Sequence, residues 1–122
     1  MAAHDEFGDY LRDCLRPLGR IRLRRMFGGW GIYADDLFFA LVIGEQLHFK
    51  VDAVTRPLFE AEGLEEWVYE KNGKPLHMNY FRPPAEVFDD EEALLHWGRL
   101  ALAAAARARK PATLRRSAAN RH

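Results

Sequence analysis

Residues 20–51 read RIRLRRMFGGWGIYADDLFFALVIGEQLHFKV, and this stretch decides the fold class of the chain. Ile21 and Leu23 alternate with arginines, which is the pattern of a half-buried strand with one arginine face. The apolar run LFFALVI and the alternating run QLHFKV predict further strands, with tight turns at residues 35–36 and 44–45. Three or four short strands joined by such tight turns have to pair antiparallel.

Three other segments have the apolar spacing and the end signals of helices. Their predicted ranges are 5–16, 53–62 and about 90–109. Asp52 is a good cap for the second helix, and Pro111 is expected to end the third.

A second hairpin is predicted around Asn72-Gly73, the strongest turn signal in the chain, because both residues tolerate a positive φ. The predicted order of elements is therefore α, three or four β, α, two β, α. This order favours an α+β fold of two layers, an antiparallel sheet with helices on one face. The 122 residues predict one domain over residues 1–110, followed by a basic, disordered tail at 111–122.

The glycine-rich stretch MFGGWG at residues 26–31 has three interpretations: a phosphate-binding loop, a docking surface for a partner, or a bent strand. It lacks the G-x-G-x-x-G spacing before a helix, and no Gly-Lys-Ser/Thr follows it, so neither phosphate motif matches. We interpret it as a bulged or sharply bent strand that presents aromatic side chains, unless these rings complete the core. Since aromatic residues carry much of the binding energy of interfaces, the candidate docking residues are Phe27, Gly28, Gly29, Trp30, Gly31 and Tyr33.

The formal net charge is zero, but charge is unevenly distributed along the chain. Residues 1–34 carry +2, residues 35–92 carry −9, and residues 93–122 carry +7. Arginine binds phosphate well, which makes salt-sensitive nucleic-acid binding a second hypothesis. Its alternative is that the strand arginines pair with the acids of residues 60–92. The candidate residues for nucleic-acid binding are Arg20, Arg22, Arg24, Arg25, Arg107, Arg109, Lys110, Arg115 and Arg116.

Few residues in the sequence indicate catalysis or a metal site. Cys14 is the only cysteine, which excludes a disulfide within one chain, and its place on an apolar helix stripe indicates packing. Ser117 is the only serine, which disfavours a serine nucleophile. His48 and His77 are expected on strands of different hairpins and would need a third ligand to bind metal. We expect no cofactor and no metal, and an enzyme or small-ligand binder is the third hypothesis.

The N-terminal ten residues contain acids and no apolar run, so they do not form a signal peptide. No window of the sequence approaches 18 uninterrupted apolar residues, which excludes a membrane-spanning helix. A cytoplasmic location without a membrane partner is therefore expected.

Two stretches of the sequence together resemble the TfoX N-terminal domain family. They are RRMFGGWGIYADDLFFALVIGEQLHFKVD and YEKNGKPLHMNYFRPPAEVFDDEEALLHW, and the similarity covers about residues 8–106. The matching positions are Met26-Phe27-Gly28-Gly29, Gly31, Tyr33, Phe39-Ala40, Leu47, Lys50-Val51-Asp52, Lys74-Pro75, Met78 and Tyr80. The resemblance implies an antiparallel α+β fold similar to secretion-chaperone-like domains, and it implies no catalytic residues.

The best-known members of this family regulate natural DNA transformation, as co-activators of competence genes together with a cyclic-AMP receptor protein. The resemblance therefore implies a bacterial, single-domain relative of these regulators, which carry a second helical domain. Our first hypothesis is a non-enzymatic regulatory or adaptor domain that acts by protein contact. The expected partners are the transcription machinery, a cyclic-AMP receptor protein, or a second copy bound through the sheet or a long helix.

Overall fold

The structure, a computed structural model, describes the backbone of residues 2–120 and the side chains of residues 6–109. The six strands form one sheet in the order β1-β2-β3-β4-β6-β5, and every neighbouring pair is antiparallel. This arrangement confirms the predicted α+β class and order of elements. The helices and strands are α1 (Ala2–Cys14), β1 (Ile21–Met26), β2 (Gly29–Ala34), β3 (Leu37–Ile43), β4 (Gln46–Lys50), α2 (Arg56–Ala61), β5 (Glu66–Lys71), β6 (Lys74–Phe81) and α3 (Glu91–Asn120).

The predicted turns form because their residues accept positive φ angles. Asp35 and Asp36 have φ angles of 48° and 70°, and Asn72 and Gly73 have φ angles of 54° and 77°. Such angles at both central residues match the twist of the flanking strands. Two-residue connections of this kind join β1 to β4 into a continuous meander.

The three helices contribute to one core on a single face of the sheet, here called the helix-covered face. Leu11 of α1, Phe59 of α2 and Trp97 of α3 belong to the same buried cluster as Ile32 and Phe49 of the sheet. The Phe59 and Trp97 rings meet edge to face with their centroids 4.7 Å apart. Helices on one face of the sheet are thus as predicted.

α2 begins at Arg56, three residues later than predicted, because Asp52 shapes a turn before the helix. One carboxylate oxygen of Asp52, Oδ1, accepts hydrogen bonds from the backbone N–H groups of Val54 and Thr55, both at 3.1 Å. These bonds offer the backbone a local alternative to the first helical turn. Pro57 then occupies the start of the helix, where the missing N–H costs nothing.

The other two helices also differ from prediction at their ends. α1 already begins at Ala2, before the expected start at residue 5. α3 runs to Asn120, so the predicted end at Pro111 is wrong. A proline in a helix costs about 3 kcal/mol, and the alanines, leucines and arginines around Pro111 are among the best helix formers. The side chains of residues 110–120 lie outside the described ones, and the domain boundary at residue 110 stays a prediction.

Candidate functional site

The face of the sheet opposite the helices carries a layer of aromatic side chains. Strand alternation directs Trp30 and Ile32 of β2 toward the helices, whereas Gly31 and Tyr33 belong to the opposite face. β3 contains one extra residue, Phe39, at this point, because Ile32 pairs with Ala40 while Tyr33 pairs with Phe38. This bulge places Phe38 on the same face of the sheet as Tyr33. We call this layer the aromatic face and define it as Phe27, Tyr33, Phe38, Trp67, Tyr69 and Tyr80.

The rings of the aromatic face contact one another from β2 across to β5. Tyr33 stacks on Phe38 at a centroid distance of 5.0 Å, and Phe38 lies 5.9 Å from Tyr80. Tyr80 is 6.5 Å from Trp67, and Trp67 is 5.8 Å from Tyr69. Most of these rings are half-buried, while Tyr80 is buried. The layer therefore keeps part of its ring surface accessible to solvent.

Phe27 shows that the sheet curls over its aromatic face. Phe27 and Gly28 form the turn between β1 and β2, yet the Phe27 ring lies 5.6 Å from Trp67 and 5.2 Å from Tyr69 of the strand at the opposite edge. Phe27 has a φ of 53°, a conformation that is rare for a bulky residue. Its side chain nevertheless stays 41% exposed. The predicted bend at this point is thus a hairpin turn rather than a bulge.

Two glycines of the motif shape this corner of the sheet. Gly28 has a φ of 74° within the turn, which glycine adopts without strain. A Cβ at Gly29 would overlap the carbonyl oxygen of Val42, so β2 and β3 approach each other here only because Gly29 has no side chain. Gly31 leaves room above it for the Met26 side chain and the Phe38 ring.

The structure separates the aromatic residues that were predicted to dock a partner together. Phe27 and Tyr33 belong to the aromatic face, but Trp30 lies on the helix-covered face and packs against the core. The guanidinium of Arg25 covers the Trp30 ring at 5.2 Å. Strand alternation is the reason, because Trp30 and Tyr33 are an odd number of residues apart.

Several cations belong to the aromatic face. Arg22 places its guanidinium 4.7 Å from the Tyr33 ring centroid, and Lys50 places its ammonium 5.4 Å from the Tyr80 ring centroid. Burial lowers the pKa of Lys50 and raises the pKa of Tyr80. By strand alternation and register, Arg24, Lys71 and Lys74 belong to the same face, as does Arg82, which pairs with Glu65.

The remaining residues predicted to bind nucleic acid have other surroundings. Arg107 donates hydrogen bonds to both carboxylate oxygens of Asp52, at 2.6 and 3.1 Å, and thereby lowers the pKa of Asp52 to about 2. The backbone N–H of Arg20 donates to Asp35, while Arg109 lines a shallow cavity of about 280 Å³ beside Asp36. The side chains of Lys110, Arg115 and Arg116 lie outside the described residues.

Among the side chains of residues 6–109, no strand arginine forms the ion pair with an acid of residues 60–92 that the alternative proposed. Arg22 instead pairs with Asp36, at 3.4 Å. Those acids pair with Arg56 and Arg82, for example Glu66 with Arg56 and Glu65 with Arg82.

His48 and His77 have different neighbours and form no common site. His48 is buried beside Trp67, and burial together with the charge of Arg82 lowers its pKa to about 4. His77 is exposed and lies 3.3 Å from the carboxylate of Glu66. Among the described residues, His, Cys, Asp and Glu form no group of three or more that would hold a metal ion.

Sequence reasoning missed the half of the aromatic face that β5 and β6 supply. The run EWVYEK at 66–71 contains the signal, because its acids alternate with Trp67, Tyr69 and Lys71. This alternation predicts an acidic side and an aromatic, basic side of one strand. In the part of the chain that the structure describes, no helix has both the length and the apolar character needed to cross a bilayer.

Comparison with known proteins identifies the family. The model of the TfoX N-terminal domain matches residues 13–105, most of the chain, so the chain belongs to this family and the predicted resemblance is confirmed. The chain is also 32% identical over 81 residues to the DNA transformation protein TfoX1 of Aliivibrio fischeri (strain ATCC 700601 / ES114). This similarity covers 66% of the chain and 38% of TfoX1, so it spans well under half of that relative.

Proposed function

We propose that this TfoX N-terminal domain is a cytoplasmic, non-enzymatic adaptor in the regulation of DNA transformation competence, and that it acts by protein contact through its aromatic face. The single observation that carries the proposal is the layer of mutually contacting rings on the aromatic face, opposite the helices. Family membership and the name of the Aliivibrio fischeri relative support the link to transformation.

The rings suit protein docking because they are positioned before a partner arrives. Phe27 and Tyr69 hold each other at 5.2 Å, and both keep part of their surface accessible. Large aromatic side chains in fixed positions lose little conformational entropy on binding and are enriched among the residues that dominate binding energy. By the family resemblance, the partners are the transcription machinery, a cyclic-AMP receptor protein or a second copy of the chain.

A docking role also agrees with the observed pairing of charged side chains. Asp52 is engaged by Arg107, and Glu66 is engaged by Arg56 and His77. The Asp52–Arg107 pair joins segments 55 residues apart, and the two Glu66 pairs join neighbouring elements, so all three connect different elements of the fold.

The test is complementation of a deletion of the gene in its native host, with transformation frequency as the readout. The double variant Phe27→Ala/Tyr69→Ala removes exposed ring surface from the aromatic face. We expect it to lower transformation at least tenfold relative to the unaltered chain. The matched control is Tyr10→Ala/Phe88→Ala, which removes two rings that are 41% and 40% exposed elsewhere on the molecule. The control should complement fully.

Two results would contradict the proposal. The first is a deletion that leaves transformation unchanged, which would remove the competence role. The second is a folded Phe27→Ala/Tyr69→Ala variant that complements as well as the control, which would remove the aromatic face from the mechanism. Circular dichroism on both purified variants separates loss of contact from loss of fold.

A second candidate function is direct binding of nucleic acid, and the cations of the aromatic face favour it. Arg22 and Arg24 share this face, and the basic residues at 107–122 follow on α3 and beyond. The test is titration of a fluorescent DNA duplex at low and moderate salt, with Lys110→Glu/Arg115→Glu/Arg116→Glu as the variant. Tight binding that weakens steeply with salt and is lost in this variant would support it. Absence of binding at low salt would exclude it.

A further inference from the structure

We propose that the aromatic face binds an extended, acidic segment of a partner protein, whose carboxylates pair with the cations and whose apolar side chains contact the rings. This inference rests on the proposed function and adds the chemistry of the partner. It follows from the distribution of charge between the two faces of the sheet, from the covering of the ring faces and from the dimensions of the sheet.

The cations of the aromatic face differ in their acidic neighbours. Arg22 pairs with Asp36, and the charge of Asp52 acts on Lys50. Among the side chains of residues 6–109, none forms an ion pair with Arg24, Lys71 or Lys74. Glu66 and Glu70, the acids of β5, alternate to the other face of the sheet. The electrostatic complement that Arg24, Lys71 and Lys74 lack among the described side chains is therefore negative.

Two further cations lie over the faces of aromatic rings. Arg22 lies over Tyr33 and Lys50 over Tyr80, and both contacts fall within the range of cation–π interactions. Lys50 is half-buried, which strengthens its interaction with an incoming anion. Asp36, at 3.4 Å from Arg22, is the acid that a partner carboxylate would displace.

The contacts among the rings favour carboxylates over nucleobases. Base stacking requires an open ring face, but Arg22 covers Tyr33 and Lys50 covers Tyr80. Phe27 meets Trp67 edge to face at an interplanar angle of 67°. The groups accessible to a partner are therefore cationic side-chain ends, which pair with carboxylates, and ring edges, which contact small apolar side chains.

The dimensions of the sheet set the length of the segment. The cations run from β1, through β4, to the β5–β6 hairpin, which is the full width of the six strands. Along the curled sheet, five strand spacings of about 4.8 Å give roughly 24 Å, so an extended chain of at most about seven residues crosses the face. The proposed ligand is therefore a short extended segment rather than a folded surface.

The experiment measures fluorescence anisotropy of the full chain with a labelled eight-residue peptide in which glutamate alternates with leucine. A second peptide with glutamine in place of glutamate tests the need for charge, and an eight-nucleotide oligothymidine tests for nucleic acid. The variant is Arg24→Glu/Lys71→Glu/Lys74→Glu. The control is Arg12→Glu/Arg16→Glu/Arg99→Glu, which changes the net charge equally at exposed positions on or near the helices.

We expect the glutamate peptide to bind with an affinity that falls with salt, at least tenfold more weakly to the triple variant and within twofold to the control. Equal binding of the glutamine peptide, or equal losses in both variants, would overturn the inference. So would tighter binding of oligothymidine that is lost in the same variant, since the face would then serve nucleic acid. If only the peptide fails while Phe27→Ala/Tyr69→Ala still abolishes complementation, the acidic partner is wrong and the proposed function stands.

Discussion

The helix-covered face and the aromatic face of the sheet both contain contacting aromatic rings, but the rings are held in different ways. On the helix-covered face, Phe59 and Trp97 are enclosed by three helices and are less than 10% exposed. On the aromatic face, Phe27 contacts two rings and is still 41% exposed. Buried rings stabilise the fold through the apolar area that they remove from water. A partly exposed ring removes its remaining area from water only when a partner binds. The comparison suggests that one face stabilises the fold and the other is available for function.

The largest expected effect tests that division directly. Trp97→Ala should lower the free energy of unfolding by about 3–5 kcal/mol, because it leaves a cavity in the core. Tyr69→Ala should cost only about 1 kcal/mol, the size of a ring–ring contact. Urea unfolding followed by circular dichroism measures both. Equal losses would mean that the aromatic face is a second core.

The next largest effect is a pH dependence of the free energy of unfolding that comes from His48, beside Trp67 of the aromatic face. The pKa of His48 is lowered from 6.5 to about 4 in the folded chain, so between these values the unfolded state binds a proton that the folded state does not. Stability is therefore complete above pH 6.5 and should fall by about 3 kcal/mol as the pH decreases to 4. Urea midpoints at pH 7, 5.5 and 4 measure this loss. His48→Leu should flatten the profile, and a profile that this substitution leaves unchanged would count against His48 as its source.

A smaller loss of stability is expected at lower pH, from the ion pair between Asp52 and Arg107 of α3. The Arg107 guanidinium lowers the pKa of Asp52 from 3.8 to about 2. The stability from this pair is complete above pH 3.8 and should decrease by about 1–2 kcal/mol as the pH falls toward 2. Asp52→Asn should remove this dependence at pH 2–5, while Asp9→Asn, from an exposed ion pair, should leave it. A profile that Asp52→Asn does not change would contradict the assignment.

The smallest expected effect is on the stability of Phe27→Gly. The substitution removes two ring contacts, worth about 0.5–1.5 kcal/mol each, but it also relieves a left-handed backbone that costs a bulky residue about 1–2 kcal/mol. We expect a net change close to zero in urea unfolding, together with loss of complementation in the transformation assay. A large loss of stability would show that Phe27 serves the fold rather than docking.

Local signals in the sequence were enough to predict the helices, strands and turns. The composition of the aromatic face depends instead on contacts between residues that are distant in sequence. The turns at residues 35–36 and 72–73 and the arginine face of β1 follow from neighbouring residues alone. Tyr33 and Phe27 were therefore identified as candidates, but their partners Phe38, Trp67 and Tyr69 were not. The position of β5 beyond β6, and the curl that brings Phe27 to it, depend on how the sheet assembles as a whole.

The differences between prediction and structure have similar causes. Trp30 was grouped with Tyr33 because they are close in sequence, although strand alternation separates them. Arg107 was identified as a nucleic-acid candidate from its charge, which stays a prediction, and its ion pair with Asp52 was not foreseen because Asp52 is distant in sequence. The end of α3 was placed at Pro111 because a single breaker was given more weight than the helix formers around it.

The contact between Phe27 and Trp67 has a consequence for the order of folding. β1 to β4 are joined by two-residue turns, so these strands pair through contacts that are local in sequence, which form early. Phe27 meets Trp67 only after the β5–β6 hairpin has joined β4, because about 40 residues separate the two rings and closing a long loop costs entropy before the contact forms. The indole of Trp67 should therefore acquire its native fluorescence in the last kinetic phase of refolding, after most of the sheet has formed.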